Sequence, residues 1–142
     1  MAKAKTSWRE KLLTSKDLPK TIVVPAPIEV DALMKRVPRG KLTTINSLRE
    51  ALARKHGTHT ACPMTTGIFA WIAAHAANEA MEAGDLNATP YWRTLKSDGV
   101  LNAKYPGGAK EQKRRLEEEG HKVIKKKSAL VVADFEKALA KL

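Results

Sequence analysis

Between Thr43 and Gly84 the chain sets two helical stretches in succession across a short loop, and this pairing limits the fold more than any other feature. Thr43 and Thr44 supply capping oxygens. The stretch INSLREALARKHG that follows puts Ile45, Leu48, Ala51 and Leu52 on one face and closes with Lys55, His56 and Gly57. After a loop over residues 57–63, Thr65 or Thr66 is placed to cap a second stretch, GIFAWIAAHAANEAMEAG, which Gly84 ends. Two helices joined by a turn fit a helix-turn-helix. Upstream, Val30, Leu33, Met34 and Val37 predict a helix over 28–37 that Pro38-Arg39-Gly40 breaks. The β-branched run at 21–24, flanked by prolines, predicts a short edge strand.

Beyond Asp85 the texture changes, with Pro90, Gly99, Pro106 and Gly107-Gly108 punctuating short extended pieces in the manner of a wing or structured loop. A charged helix is expected over 108–119, ended by Gly120. Strands at 121–124 and 129–132, separated by Lys125-Lys126-Lys127, predict a hairpin. Asp134 is placed to cap a closing helix through Phe135, Leu139 and Leu142. The expected fold class is α+β, a mainly helical winged helix-turn-helix domain over residues 21–142 with a small C-terminal β-hairpin. Residues 1–20 read as a basic N-terminal arm, either a source of extra phosphate contacts or a solubilising tail. A chain of 142 residues suffices for one core.

Lys and Arg number 26 against 15 Asp and Glu, a net +11 that predicts attraction to a polyanion, with nucleic acid the first candidate. A merely basic soluble protein is the bland alternative. One cysteine, Cys62, forms no internal disulfide, and no apolar run approaches the roughly 20 residues that span a bilayer. With no secretion signal, a cytoplasmic monomer away from any membrane is expected. His56, His59, His75 and His121 lie without metal-site spacing, so no metal or cofactor is implied.

The phrase Val37-Pro38-Arg39-Gly40-Lys41-Leu42-Thr43-Thr44, the helix pair, Thr89-Pro90-Tyr91-Trp92-Arg93, Ser97-Asp98-Gly99 and Tyr105-Pro106-Gly107-Gly108 come in a telling order. Over residues 30–120 that order resembles the DNA-binding domain of the O6-alkylguanine-DNA alkyltransferase family, which carries Pro-Cys-His-Arg and then Tyr-x-Gly-Gly opening a helix. The resemblance implies that the second helix of the motif enters the minor groove and that a damaged guanine flips out of the stack. It also implies a cysteine thiolate, activated by a histidine, water and glutamate relay, that takes the alkyl group. Here the cysteine position reads Tyr91, the histidine position reads Trp92, and the relay glutamate falls close to Lys113. A phenol with a pKa of about 10 is a poor nucleophile at neutral pH, and an indole accepts no proton. No enzyme is expected. The chain looks most like the alkyltransferase-like members, whose cysteine is replaced and which bind O6-alkylguanine without repairing it, handing the lesion to other repair machinery.

The resemblance puts Tyr91, Trp92, Arg93, Thr94, Tyr105 and Pro106 at the lesion pocket. Tyr91 and Trp92 either line or block that pocket as aromatic surface or fill core volume, and Arg93 holds the loop by hydrogen bonds. Arg39, Lys41, Thr43, Thr44, Thr65, Thr66, Gly67 and Trp71 are the expected DNA contacts at the helix-turn-helix. The small residues of the second helix permit close approach to a groove, although its apolar stripe equally fits a buried helix. The family's intercalating arginine has no counterpart, Met64 and Thr66 being nearest, and its phosphate-rotating tyrosine reads Ile45. Lys113-Arg114-Arg115 and Lys125-Lys126-Lys127 could extend the footprint, whereas the interleaved Glu117-Glu118-Glu119 suggests a solvated face. The expected partners are double-stranded DNA carrying O6-alkylguanine and a downstream repair protein. Two alternatives stand beside this. One is an interaction module without damage preference, meeting a protein through Phe69 and Trp71. The other is an enzyme using Cys62 before a helix N-terminus, where a lone cysteine is otherwise a small buried hydrophobe.

Overall fold

The computed structural model describes Trp8 and residues 21–142, so the arm expected over 1–20 lies outside the described residues except for Trp8, which is helical and exposed. The elements run β1 (Ile22–Val23), α1 (Pro27–Lys35), β2 (Thr43–Thr44), α2 (Ile45–His56), β3 (Thr60–Ala61) and α3 (Pro63–Glu82). A 3₁₀ turn (Tyr91–Arg93), β4 (Thr94–Leu95), α4 (Gly108–Glu118), β5 (Val123–Lys126), β6 (Ala129–Val132) and a second 3₁₀ turn (Phe135–Ala138) complete them. The fold is α+β.

Local chemistry sets the helix ends. Pro27 opens α1, and Glu29 accepts the Ala26 N–H at 3.0 Å. Thr44 caps α2 by accepting the Ser47 N–H at 3.1 Å, and Gly57 ends it in the left-handed region at φ 64°. α3 starts earlier than Thr65 or Thr66 suggests, because Pro63 already has the φ of a first helical residue and needs no N–H partner. The Cys62 carbonyl instead accepts both the Thr66 N–H at 3.1 Å and the Thr66 hydroxyl at 2.7 Å.

The first core lies where α1 and α2 meet α3. Val30, Leu33, Met34, Leu48 and Leu52 close on Ala70, Ala73, Ala74 and Ala77, whose short side chains let the helices approach closely. A second core, Leu42, Leu95, Leu101, Leu116 and Val132, lies under α4 and the hairpin. Trp92 packs against both. β2 pairs in parallel with β4 (Thr43 opposite Thr94), β1 with β3 (Ile22 opposite Thr60), and β5 runs antiparallel to β6.

Two expectations near the C-terminus are corrected. Lys125 and Lys126 belong to β5, and the hairpin turns on Lys127 and Ser128. No closing helix forms, because the backbone of Leu42 recruits that segment. Its N–H donates to Ala138 at 2.9 Å and its carbonyl accepts from Ala140 at 2.8 Å, leaving one 3₁₀ turn after Asp134, itself left-handed at φ 54°.

Glu29 also receives Lys55 Nζ and His56 Nε2, each at 2.7 Å, fastening the start of α1 to the end of α2. Lys55 first, then the Ala26 N–H and His56, hold its carboxyl down at about 2. A carboxylate with a depressed folded pKa stabilises fully above its unfolded value, about 4.3, and loses that contribution as pH falls toward the folded one. Tm is therefore expected to drop on acidification from about pH 4.5 to 2. Glu29→Gln should flatten part of that limb in a melting series, and an unchanged limb would refute the assignment.

Candidate nucleic-acid interface

The segment 89–94 is built into the join between the two cores. Thr89 donates its hydroxyl to Asp31 Oδ1 at 2.6 Å, pinning the loop to α1 before the 3₁₀ turn begins. Tyr91 then points inward and is fully buried. Its ring stands edge-on to Trp92 at 5.4 Å and to Tyr105 at 5.6 Å, and its hydroxyl donates to the Pro106 carbonyl at a long 3.4 Å. Burial raises the pKa of Tyr91, and that of the equally buried Tyr105, so both phenols are neutral at pH 7. The position read as a missing nucleophile is a filled volume.

Trp92 donates its indole N–H to Glu119 Oε2 at 2.7 Å. Arg93 clasps the same carboxylate, Nε to Oε1 at 2.9 Å and Nη2 to Oε2 at 2.9 Å, while its Nη1 donates to the Val37 carbonyl at 2.8 Å. The Gly40 N–H reaches Glu119 Oε1 at 3.2 Å. The side chains are 3% exposed for Glu119 and 13% for Arg93. Burial pushes the Glu119 carboxyl up, but the hydrogen bonds from Arg93, Trp92 and Gly40 outweigh it and hold the pKa below the ordinary carboxylate range. One carboxylate thus fastens the 37–40 loop, the 3₁₀ turn and the end of α4.

This network corrects two expectations. Glu119, and not Lys113, meets the residue at the family's histidine position, and Glu119 does not lie on a solvated face. The signal was available: Gln112, Leu116 and Glu119 fall at i, i+4 and i+7, one helical face that begins with a leucine-bearing stripe. Gln112, also missed, is fully buried, accepts the Asn102 N–H at 2.8 Å and donates to the Trp92 carbonyl at 3.1 Å. Arg115 lies over the Trp92 ring at 4.6 Å.

The six lesion-pocket residues therefore come together, but as packed structure. Thr94 is fully buried on β4, and Pro106 lines an open groove, about 940 Å³, which runs past Asn78 and Glu82 of α3, Gly107, and Lys110, Glu111, Lys113 and Arg114 of α4.

The expected DNA contacts divide. Arg39 and Lys41 are exposed, Arg39 donating to the Glu118 carbonyl at 3.3 Å. Thr43 and Thr44 are buried, one facing Thr94 across the β2–β4 pair and the other spent as the α2 cap, so neither hydroxyl is presented to a phosphate. Thr66 is buried likewise, whereas Thr65 and Gly67 are half-buried. Trp71 is 42% exposed and shares the Lys104 carbonyl with His75, its Nε1 donating at 3.0 Å. α3 carries no Lys or Arg, and Met64, Ile68, Trp71 and Ile72 leave its outer side apolar. Cys62 is half-buried, and hydrogen bonds from Thr65 lower its pKa.

No protein-family model and no curated protein matches the sequence. Among solved structures, the chain is similar to S. pombe Atl1 in complex with damaged DNA containing O6-carboxymethylguanine and to S. pombe ATL in complex with DNA. Each match has 21% identity and a TM-score of 0.53, covering 82% of this chain and 94% of the other. The fold is that of the alkyltransferase-like proteins. On that fold the chain places no nucleophile at residue 91 and no proton acceptor at residue 92, and the carboxylate behind them is saturated with donors.

Proposed function

We propose that the chain is a non-enzymatic DNA-binding protein of alkylation repair, a winged helix-turn-helix that engages duplex DNA and holds an extrahelical O6-alkylguanine in the groove between α3 and α4. The observation that carries this reading is the buried, unreactive Tyr91 set directly beneath Pro106 on the rim of that groove. Support comes from the fold shared with Atl1, whose complex contains O6-carboxymethylguanine, and from the net charge of +11. Extruding a base costs a few kcal/mol, least for a damaged one, and contacts to the base in the groove offset that cost, Lys110 and Lys113 being the cations on its wall that no carboxylate pairs among the described residues.

A duplex carrying O6-methylguanine is expected to bind at least about tenfold more tightly than its undamaged counterpart at one salt concentration, and the intact mass of the protein should not change. Equal affinities in a fluorescence titration would sink lesion recognition, and no binding at low salt would sink the DNA reading itself. A mass gain of one alkyl group, abolished by Cys62→Ser, would instead establish Cys62 as an acceptor.

The cation-free, apolar outer side of α3 favours a second reading, an interaction module without damage preference. It requires equal affinity for damaged and undamaged duplexes, and Trp71→Ala should then leave DNA affinity unchanged.

A further inference from the structure

A run of lysines with no acidic residue among them lies outside the helix pair. Between His121 and Ala133 the sequence contains no Asp or Glu, and Lys122, Lys125, Lys126 and Lys127 are all exposed. Lys35, Lys55, Arg93, Arg114 and Arg115 sit against carboxylates, whereas none of these four lysines has an ion-pair or side-chain hydrogen-bond partner among the described residues. Lys96, Lys104, Lys137 and Lys141 are likewise exposed and unpaired among the described residues, but they stand singly in the sequence. Four uncompensated charges in six positions repel one another and are tolerated best when a polyanion relieves them.

The hairpin carrying them is anchored to the body of the domain. Val123, Leu130 and Val132 pack into the second core beside Leu42, Leu101 and Leu116. β6 is held on both sides, by β5 and by the 99–101 segment, through Leu101 N–H to the Leu130 carbonyl and Val132 N–H to the Gly99 carbonyl, each at 3.0 Å. Leu42 fixes the neighbouring Lys41, also exposed, to the same core.

Lysines on a free strand edge also protect against edge-to-edge aggregation. That role accounts for a charge within β5, but not for Lys127. Lys127 lies in the left-handed region at φ 57° in the two-residue turn, where Gly, Asn or Asp is the unstrained choice. A cation stands at the tip against the backbone preference of its position.

We infer that the β5–β6 hairpin is a second DNA-binding element, gripping the phosphate backbone through Lys122, Lys125, Lys126 and Lys127 without reading sequence or lesion. The inference rests on the proposed DNA-binding function and adds to it a surface that neither the helix pair nor the lesion groove contains. Each phosphate neutralised contributes about 0.9 to the slope of log affinity against log salt.

The test is a salt titration of a fluorescein-labelled undamaged duplex with the full chain and a variant combining Lys122→Gln, Lys125→Gln, Lys126→Gln and Lys127→Gly. The slope is expected to fall by roughly two to four, with affinity reduced more than about tenfold at low salt. Lys127→Gly relieves the left-handed strain, so that substitution alone should weaken binding without lowering Tm, opposite to a structural role. Lys137→Gln with Lys141→Gln, which lowers net charge by two outside the hairpin, serves as the control. If the full chain binds with a steep slope that the hairpin variant keeps, the hairpin assignment is overturned while DNA binding stands. A control slope falling as far per charge as the hairpin variant would also overturn it. Failure of the unaltered chain to bind at low salt removes the function on which the inference rests.

Discussion

Glu119→Ala is expected to lower folding stability by about 3–5 kcal/mol, the cost of removing one partner from a buried, hydrogen-bonded ion pair. The substitution leaves the Arg93 guanidinium, the Trp92 indole N–H and the Gly40 N–H unpaired at once, in a place where the carboxylate was 3% exposed. Glu119→Gln keeps the shape and one acceptor oxygen but turns an amide N–H₂ toward Arg93, so it should cost less than the alanine and still more than about 1 kcal/mol. Arg93→Ala removes the same clasp and the bond to the Val37 carbonyl, and should cost about as much as Glu119→Ala. Because the two residues act as one unit, the double variant should lose little beyond either single change, a coupling of roughly 2 kcal/mol or more. Urea unfolding of the four proteins measures this. Additive losses would show that the two side chains stabilise independently.

Features set by local chemistry could be read from the sequence. Thr44 and Gly57 bound α2 through a side-chain acceptor and a left-handed glycine, both legible from residue type. The α+β class and the alkyltransferase-like arrangement were legible too, because the glycines and prolines that turn the chain stand in order. What escaped was decided by partners distant in sequence. Residues after Asp134 have the caps and apolar spacing of a helix, yet Leu42, almost a hundred positions away, takes their backbone bonds. Thr43, Thr44 and Thr66 carry hydroxyls of the kind that meet phosphates, but burial on β2 and in the first turn of α3 withdraws them, and residue type alone does not reveal burial. Glu119 was hidden by its neighbours. A run of three glutamates reads as solvated, and only the face shared with Gln112 and Leu116 separates the third from the other two.

Tyr91 allows packing to be separated from chemistry. Tyr91→Ala deletes a fully buried ring wedged between Trp92 and Tyr105, and should cost about 3–5 kcal/mol, as truncations of buried aromatics do. Tyr91→Phe removes only a hydroxyl whose bond to the Pro106 carbonyl is a long 3.4 Å, and should cost less than about 1 kcal/mol. Thermal unfolding distinguishes the two, and a costly Tyr91→Phe would mean that the hydroxyl matters more than the ring. Tyr91→Cys restores the family's thiol yet should transfer no alkyl group. Burial raises the pKa of a thiol, and Trp92 accepts no proton to activate it. Adding Trp92→His supplies an imidazole beside Glu119, the carboxylate already at hydrogen-bonding distance from residue 92. That pair of changes is the smallest that provides nucleophile, base and orienting carboxylate together. A mass gain on alkylated DNA in the double variant alone would show that Glu119 still occupies the relay position, whereas a gain in Tyr91→Cys alone would show that activation comes from elsewhere.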